Sequence, residues 1–211
     1  MPDAVHELLN VYDREGAVVG AMPRAEAKAS GRAVGAVNVL LVNARGEVLL
    51  QRRAEDKENG GLWDKSVGGH VAAGEDFDRA AVRETGEELF DDPRSARVVL
   101  ARDEADLRAR LAAADPGASL VIRPASLQLG LRDVRRVPGG GLVTVVYHVA
   151  VYLGRTDVGV EGFRPQAGEV AGLAWVPSPG VDAMLLGGAL APNMAFLWLT
   201  HGGRLLELVP P

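Results

Sequence analysis

The order of elements along the chain predicts an α/β protein, a mixed β-sheet with helices on both faces. Three observations predict it. Strand-like apolar runs recur from Ala33 to Val176 with turn residues between them. Helical segments at Phe77–Phe90 and Asp103–Ala114 interrupt those runs. A closing stretch, Ala183 to Gly203, has no Asp, Glu, Lys or Arg, and Gly187-Gly188 and Pro192-Asn193 break it. That stretch is long enough to raise the question of a membrane span, but its breaks make it a buried helical pair.

Taken in order, Val5–Tyr12 and Ala17–Met22 predict a hairpin across Asp13-Arg14-Glu15-Gly16. Ala33–Val42 and Glu47–Arg53 predict two strands joined by Asn43-Ala44-Arg45-Gly46. Ala54–Asp64 reads as a polar loop ordered through Trp63, and Val67–Ala72 as a short strand. After the helix at 77–90, which Asp91-Asp92-Pro93 ends, Val98–Leu100 predicts a strand. In the next helix Leu107 and Leu111 recur at four residues, and Asp115-Pro116-Gly117 stops it. Leu127–Arg136 and Leu142–Leu153 predict a hairpin about the Gly139–Gly141 run, which lacks the Lys and the strand-to-helix context of a phosphate-binding loop. Asp157–Glu169 is a loop, Val170–Val176 a strand, and Val181–Leu186 and Pro192–His201 are helices, with Pro192 in a first turn.

With 211 residues and 47% apolar content, one domain with a full core is expected over 1–211. It comprises an N-terminal hairpin extension at 1–32, a probable insertion at 101–125 and C-terminal helices at 178–211. The absence of Cys removes disulfides, thiolate metal sites and Cys nucleophiles together. Met1–Asp13 lacks the basic-then-apolar layout of a signal peptide, so a cytoplasmic protein is expected. A net charge of −5 argues against broad binding to nucleic acid. It leaves room for a small phosphorylated substrate, because a bound cation reverses the local field.

The chemistry concentrates in Gly69 to Asp91, GHVAAGEDFDRAAVRETGEELFD. Residues three and four apart share a helix face, so Glu84, Glu87 and Glu88 bring three carboxylates to one patch. Like charge so crowded favours a divalent cation. The spacing Gly69, five residues, Glu75, seven residues, then Arg83-Glu84-x-x-Glu87-Glu88 resembles the Nudix box. Six specified residues at fixed offsets arise by chance roughly once in 10⁵ chains of this length. Thr85 stands where that family usually has an aliphatic residue, and Phe90 where it usually has a Gly. The opening hairpin and Leu173-Ala174-Trp175-Val176-Pro177 are similar to Nudix proteins too, the hairpin to those related to isopentenyl-diphosphate isomerase.

The resemblance implies an α/β/α sandwich and hydrolysis of a diphosphate linkage, in a nucleoside diphosphate derivative. It also implies Mg²⁺, with Mn²⁺ as a substitute, on Glu84, Glu87 and Glu88. Glu75 would pair with Arg83 and orient the helix beside Gly69. The general base differs among Nudix enzymes; Glu88 is the first candidate, with Glu169 and Glu161 as loop alternatives. Arg52 and Arg53 either receive a substrate phosphate or form a solvated strand end. His70 sits in a context that supplies a metal ligand in the isomerases, yet the chain lacks the Cys that isomerisation would demand, which favours a packed His70. A binding module without turnover is a further alternative, against which the intact Glu set speaks. Homodimers occur in similar families, and no interface pattern in the sequence decides the matter.

Overall fold

A computed structural model of the chain describes residues 7–115, 117–136, 142–165 and 170–210. Val5, His6, the Pro138–Gly141 connection and Glu169 lie outside the described residues.

The strands are β1 (Leu8–Tyr12), β2 (Val18–Pro23), β3 (Ala33–Val42), β4 (Glu47–Arg53), β5 (Trp63–Asp64), β6 (Val67–His70), β7 (Val98–Leu100), β8 (Leu120–Arg136), β9 (Leu142–Arg155) and β10 (Val170–Pro177). The helices are α1 (Arg24–Ala29), α2 (Phe77–Phe90), α3 (Glu104–Ala113), α4 (Ser178–Leu186) and α5 (Pro192–Leu206). The main sheet runs β10-β4-β3-β9-β8-β7, with β1–β2, β5 and β6 attached. It is mixed: β3 with β9 and β7 with β8 are parallel, and the remaining pairs are antiparallel.

β3 is buried on both faces, which explains its unbroken apolar sequence. Its odd residues Val37, Val39 and Leu41 pack with Ala80, Ala81 and Leu89 of α2. Its even residues Val34, Leu40 and Val42 pack with Leu107 of α3 and with Met194 and Leu197 of α5. Helices therefore cover both faces. Asn38, the polar exception, points to the second face, where Asn193 Nδ2 lies 3.5 Å from its Oδ1.

Three features depart from the sequence expectation. α1 forms where no helix was predicted, a single short piece that buries only Ala27. The predicted strand Leu127–Arg136 is the second part of a longer one, β8, which starts at Leu120, because irregularities at Pro124/Ser126 and Gln128/Leu131 absorb the residues that break the pattern. α4 and α5 are longer than predicted, beginning at Ser178 and ending at Leu206. Leu107 of the 101–125 stretch is fully buried, so that stretch is part of the core.

Only the start of β4 pairs with β3, at Val42↔Val48, and further along β3 turns to β6, from Val39↔Val67 to Ala36↔His70. The sheet forks there. Ser66, fully buried, closes the fork's base: its Oγ donates to Leu49 O at 2.7 Å and accepts from Leu41 N at 3.0 Å.

Candidate active site

α2 lies over this fork and directs one of the box carboxylates, that of Glu88, into it. Its first turn is fixed by Asp76, whose side chain accepts from Arg79 N at 2.8 Å. Thr85 is buried and donates its hydroxyl to Ala81 O at 2.6 Å, so a polar side chain serves at an inward position. At the far end Asp91 takes the left-handed conformation, φ 54°, and its N–H bonds back to Glu87 O and Gly86 O.

Arg83 is the hub. Its Nε and Nη2 donate to the Glu75 carboxylate at 2.9–3.1 Å, Nη2 also to His70 O at 3.0 Å, and Nη1 to Glu84 Oε1 and Glu87 Oε2, each at 2.9 Å. Burial works against the Arg83 charge, but Glu75, Glu84 and Glu87 outweigh it and hold its pKa above the ordinary value. Glu75 is placed by β1: Asn10 Nδ2 donates to Glu75 O at 2.8 Å and Asn10 Oδ1 accepts from Gly74 N at 3.1 Å.

Glu88 turns the other way, into the fork, where Gln51 Nε2 of β4 donates to it at 3.2 Å and Gly68 N of β6 at 3.4 Å. Burial pushes its pKa up to about 8, with the nearby Glu84 charge adding to the shift. Burial likewise raises Glu84 to about 7 against the opposing pull of Arg83. The Glu84 carboxylate rests on the bare Cα of Gly69, where an added Cβ would lie 1.9 Å from Glu84 Cδ. Among the described residues no group of three or more Asp, Glu, His or Cys stands in an arrangement that holds a metal ion. The carboxylates share one helix, with Glu84 and Glu87 turned onto Arg83 and Glu88 onto Gln51.

A profile of the NUDIX domain matches residues 32–106. An uncharacterised Nudix hydrolase of Pseudomonas aeruginosa, PA4841, is 33% identical over 150 residues, which span 63% of this chain and 86% of that protein. The chain belongs to the Nudix hydrolase family. The isopentenyl-diphosphate isomerase of Halorhodospira halophila is 42% identical over 81 residues, 37% of this chain and 46% of the isomerase. The chain thus spans about half the length of that relative. DR0079 of Deinococcus radiodurans, 23% identical, superimposes with a TM-score of 0.61 over 90% of this chain and 96% of that one, which shows a shared fold.

Members of this family generally use divalent metals, and the donor set here suits one. It consists of carboxylate oxygens, which hard cations such as Mg²⁺ prefer, and the bare Cα of Gly69 makes room for that of Glu84. Two of the carboxylates have raised pKa values, as expected of buried anions short of positive charge.

The remaining candidates fall at the periphery. Arg52 reaches Gly61 O and Glu55. Arg53 reaches Glu58 O and Asp64 Oδ2, so both arginines fasten the 54–62 loop. Glu161 is exposed on a 3-10 turn, Val160–Gly162. The His70 ring lies 6.1 Å from that of Tyr147. An open groove of about 340 Å³ between Phe77, Pro124, Leu127 and Tyr152 includes none of the box carboxylates.

Sequence reasoning missed four residues. Asn10, Gln51 and Ser66 are inward polar residues of strands or their ends, and each sits beside apolar neighbours where an unexplained polar side chain was the available signal. Lys65 is the fourth. It is buried, its Nζ lies 3.3 Å from both Asp64 oxygens, and its stem covers Gly68, where a Cβ would meet Lys65 Cε at 2.1 Å. Its charge also opposes the upward shift of Glu88.

Proposed function

We propose that the chain is a Mg²⁺-dependent Nudix pyrophosphohydrolase that cleaves a diphosphate linkage in a nucleoside diphosphate derivative, with Mn²⁺ able to replace Mg²⁺. The observation that carries this reading is the placement of two carboxylates of one helix, Glu84 buried against Gly69 and Glu88 partly buried in the fork between β4 and β6. Glu84, Glu87 and Glu88 would hold the cation, which when bound neutralises phosphate oxygens and acidifies a water. In the reaction a water oxygen bonds to phosphorus, the bridging P–O bond breaks, and the water's proton passes to a base. Glu88 is the base we assign, with Gln51 and Gly68 fixing its orientation in the fork. Arg83, tied to Glu75 and His70 O, sets the direction of Glu84 and Glu87. Gly69 is a structural support. Residues 1–211 act as one domain, and the cysteine-free chain suits the reducing cytoplasm. Among the described residues no helix is long and apolar enough to cross a membrane.

Incubation with Mg²⁺ and a panel of nucleotide sugars, dinucleoside polyphosphates, nucleoside di- and triphosphates and isopentenyl diphosphate tests the reading. Hydrolysed phosphorus-containing products are expected, with turnover falling about 100-fold or more in Glu88→Gln. A rearranged allylic diphosphate would replace this reading by isomerisation, and saturable binding without products by a sensor. Full activity in folded Glu88→Gln would remove Glu88 from the mechanism.

A further inference from the structure

Away from the carboxylate face, α3 and the chain that follows α5 enclose an open groove of about 350 Å³. Leu107, Leu111, Leu208 and Val209 wall it, and Arg108 and Arg155 line it as well. Arg155 is the last residue of β9 and lies opposite Val121 of β8, on the sheet face that α3 covers. A guanidinium carries five N–H donors. Those of Arg155 are poorly used: Nη2 stands 3.5 Å from Asp157 Oδ2, and the buried Nε has no partner. Asp157 in turn accepts from Ala44 N at 2.7 Å through its other oxygen.

Arg123, next on the same face of β8, repeats this pattern. Its side chain is 8% exposed, its Nη1 donates to Pro124 O at 3.1 Å, its Nε is buried without a partner, and its Nη2 reaches Glu104 Oε2 only at 3.5 Å. Glu104 is engaged more closely by Arg108, at 2.8 Å. Arg108 and Arg123 share Glu104, on which Arg204 also acts, and Arg155 faces Asp157, so guanidinium groups outnumber the carboxylates they meet in a chain whose net charge is −5.

We propose that this groove binds a small amphipathic carboxylate, an unbranched acyl chain of medium length with its headgroup on Arg155 and Arg108. The leucine and valine walls suit the chain. The forked donors of a guanidinium suit a carboxylate. The volume lies at the lower end of the range for small-molecule sites, which selects a short ligand.

Titration of the full chain with octanoate, followed by calorimetry and by amide chemical shifts, tests the site. Octanoate should saturate it with a Kd on the order of 1 mM or below, and octanol, acetate and octyl phosphate should each bind about tenfold or more weakly. Arg155→Met should weaken octanoate about tenfold while leaving octanol unaffected. Leu111→Trp should fill the groove and abolish octanoate binding with every charge in place; this variant and the ligand series decide the matter if Arg155→Met does not fold. Equal binding of octanol or acetate, tighter binding of octyl phosphate, no saturation by octanoate, or undiminished octanoate affinity in folded variants would each overturn the proposal.

Discussion

Glu84 and Glu88 make the site sensitive to pH in a direction opposite to that of an ordinary surface carboxylate. Burial raises them to about 7 and about 8, above the usual carboxylate value of 4.5. A carboxyl whose folded pKa is raised is favoured by folding in its protonated form, so its stabilising effect is complete below the ordinary value and fades as pH climbs through the folded one. In EDTA, the melting temperature should therefore drop by several degrees between pH 5 and pH 8.5. Glu88→Gln should flatten part of that drop, and Mg²⁺ should reverse it in the wild type. A profile level across this range, in wild type and variant alike, would mean that the two carboxylates are not short of positive charge. Gly69→Ala separates the fold from the site: the atoms nearest the new Cβ are all at the end of the Glu84 side chain. The protein should stay folded while cation affinity, read by titration with Mn²⁺, falls about tenfold or more.

Along α2 the family pattern and the observed helix differ in their last turn, and two substitutions measure the difference. The left-handed residue is Asp91, φ 54°, one place beyond Phe90, where the family's Gly was expected. Asp91→Gly should relieve about 1 kcal/mol of backbone strain and raise the melting temperature by about 2–4 °C. Gly86 looks in the sequence like a defect in the helix, one that Ala would repair by about 1 kcal/mol. The structure reverses that expectation, because the chain returns over Gly86 and an added Cβ would lie 2.3 Å from the Asp92 backbone oxygen. Overpacking costs about 1–3 kcal/mol, so Gly86→Ala should lower thermal stability; a gain would show that the return of the chain is easily displaced. Helix spacing made Glu84, Glu87 and Glu88 legible from their positions alone, because 3.6 residues per turn fixes which residues share a face. It could not show that Arg83 holds two of them, or that Gln51, Gly68 and Lys65 surround the third. Those neighbours come from β4, β6 and the turn between β5 and β6, and only the pairing of distant strands brings them together.

Across the described residues, β3 supplies its even residues to one apolar cluster and its odd residues to another, so the two lie back to back on one strand. The alternation was hidden in the sequence, since a strand buried on both sides has no polar side to reveal its period. The uncharged closing stretch, whose Gly-Gly and Pro-Asn breaks already marked it as a buried helical pair, packs against the even residues of β3. α5 contributes Met194, Leu197, Trp198 and Leu205 to that core, and Trp198 Nε1 donates to Asp182 of α4 at 2.7 Å. Burying a large apolar side chain contributes about 1.5–3 kcal/mol, so these four together match the whole net stability of a typical domain, about 5–15 kcal/mol. The connection also reaches the site region, for Trp63 N donates to Ala189 O at 3.0 Å and Ala191 N to Trp63 O at 2.8 Å. Ending the chain before Pro192 should therefore leave it unfolded, with no binding of Mn²⁺. Leu197→Ala should cost about 2–5 kcal/mol and shift the unfolding transitions seen by far-ultraviolet circular dichroism and by tryptophan fluorescence equally. If the truncated chain retained its sheet and its cation site, or if the two probes separated in Leu197→Ala, α5 would be an appendage rather than half of the core.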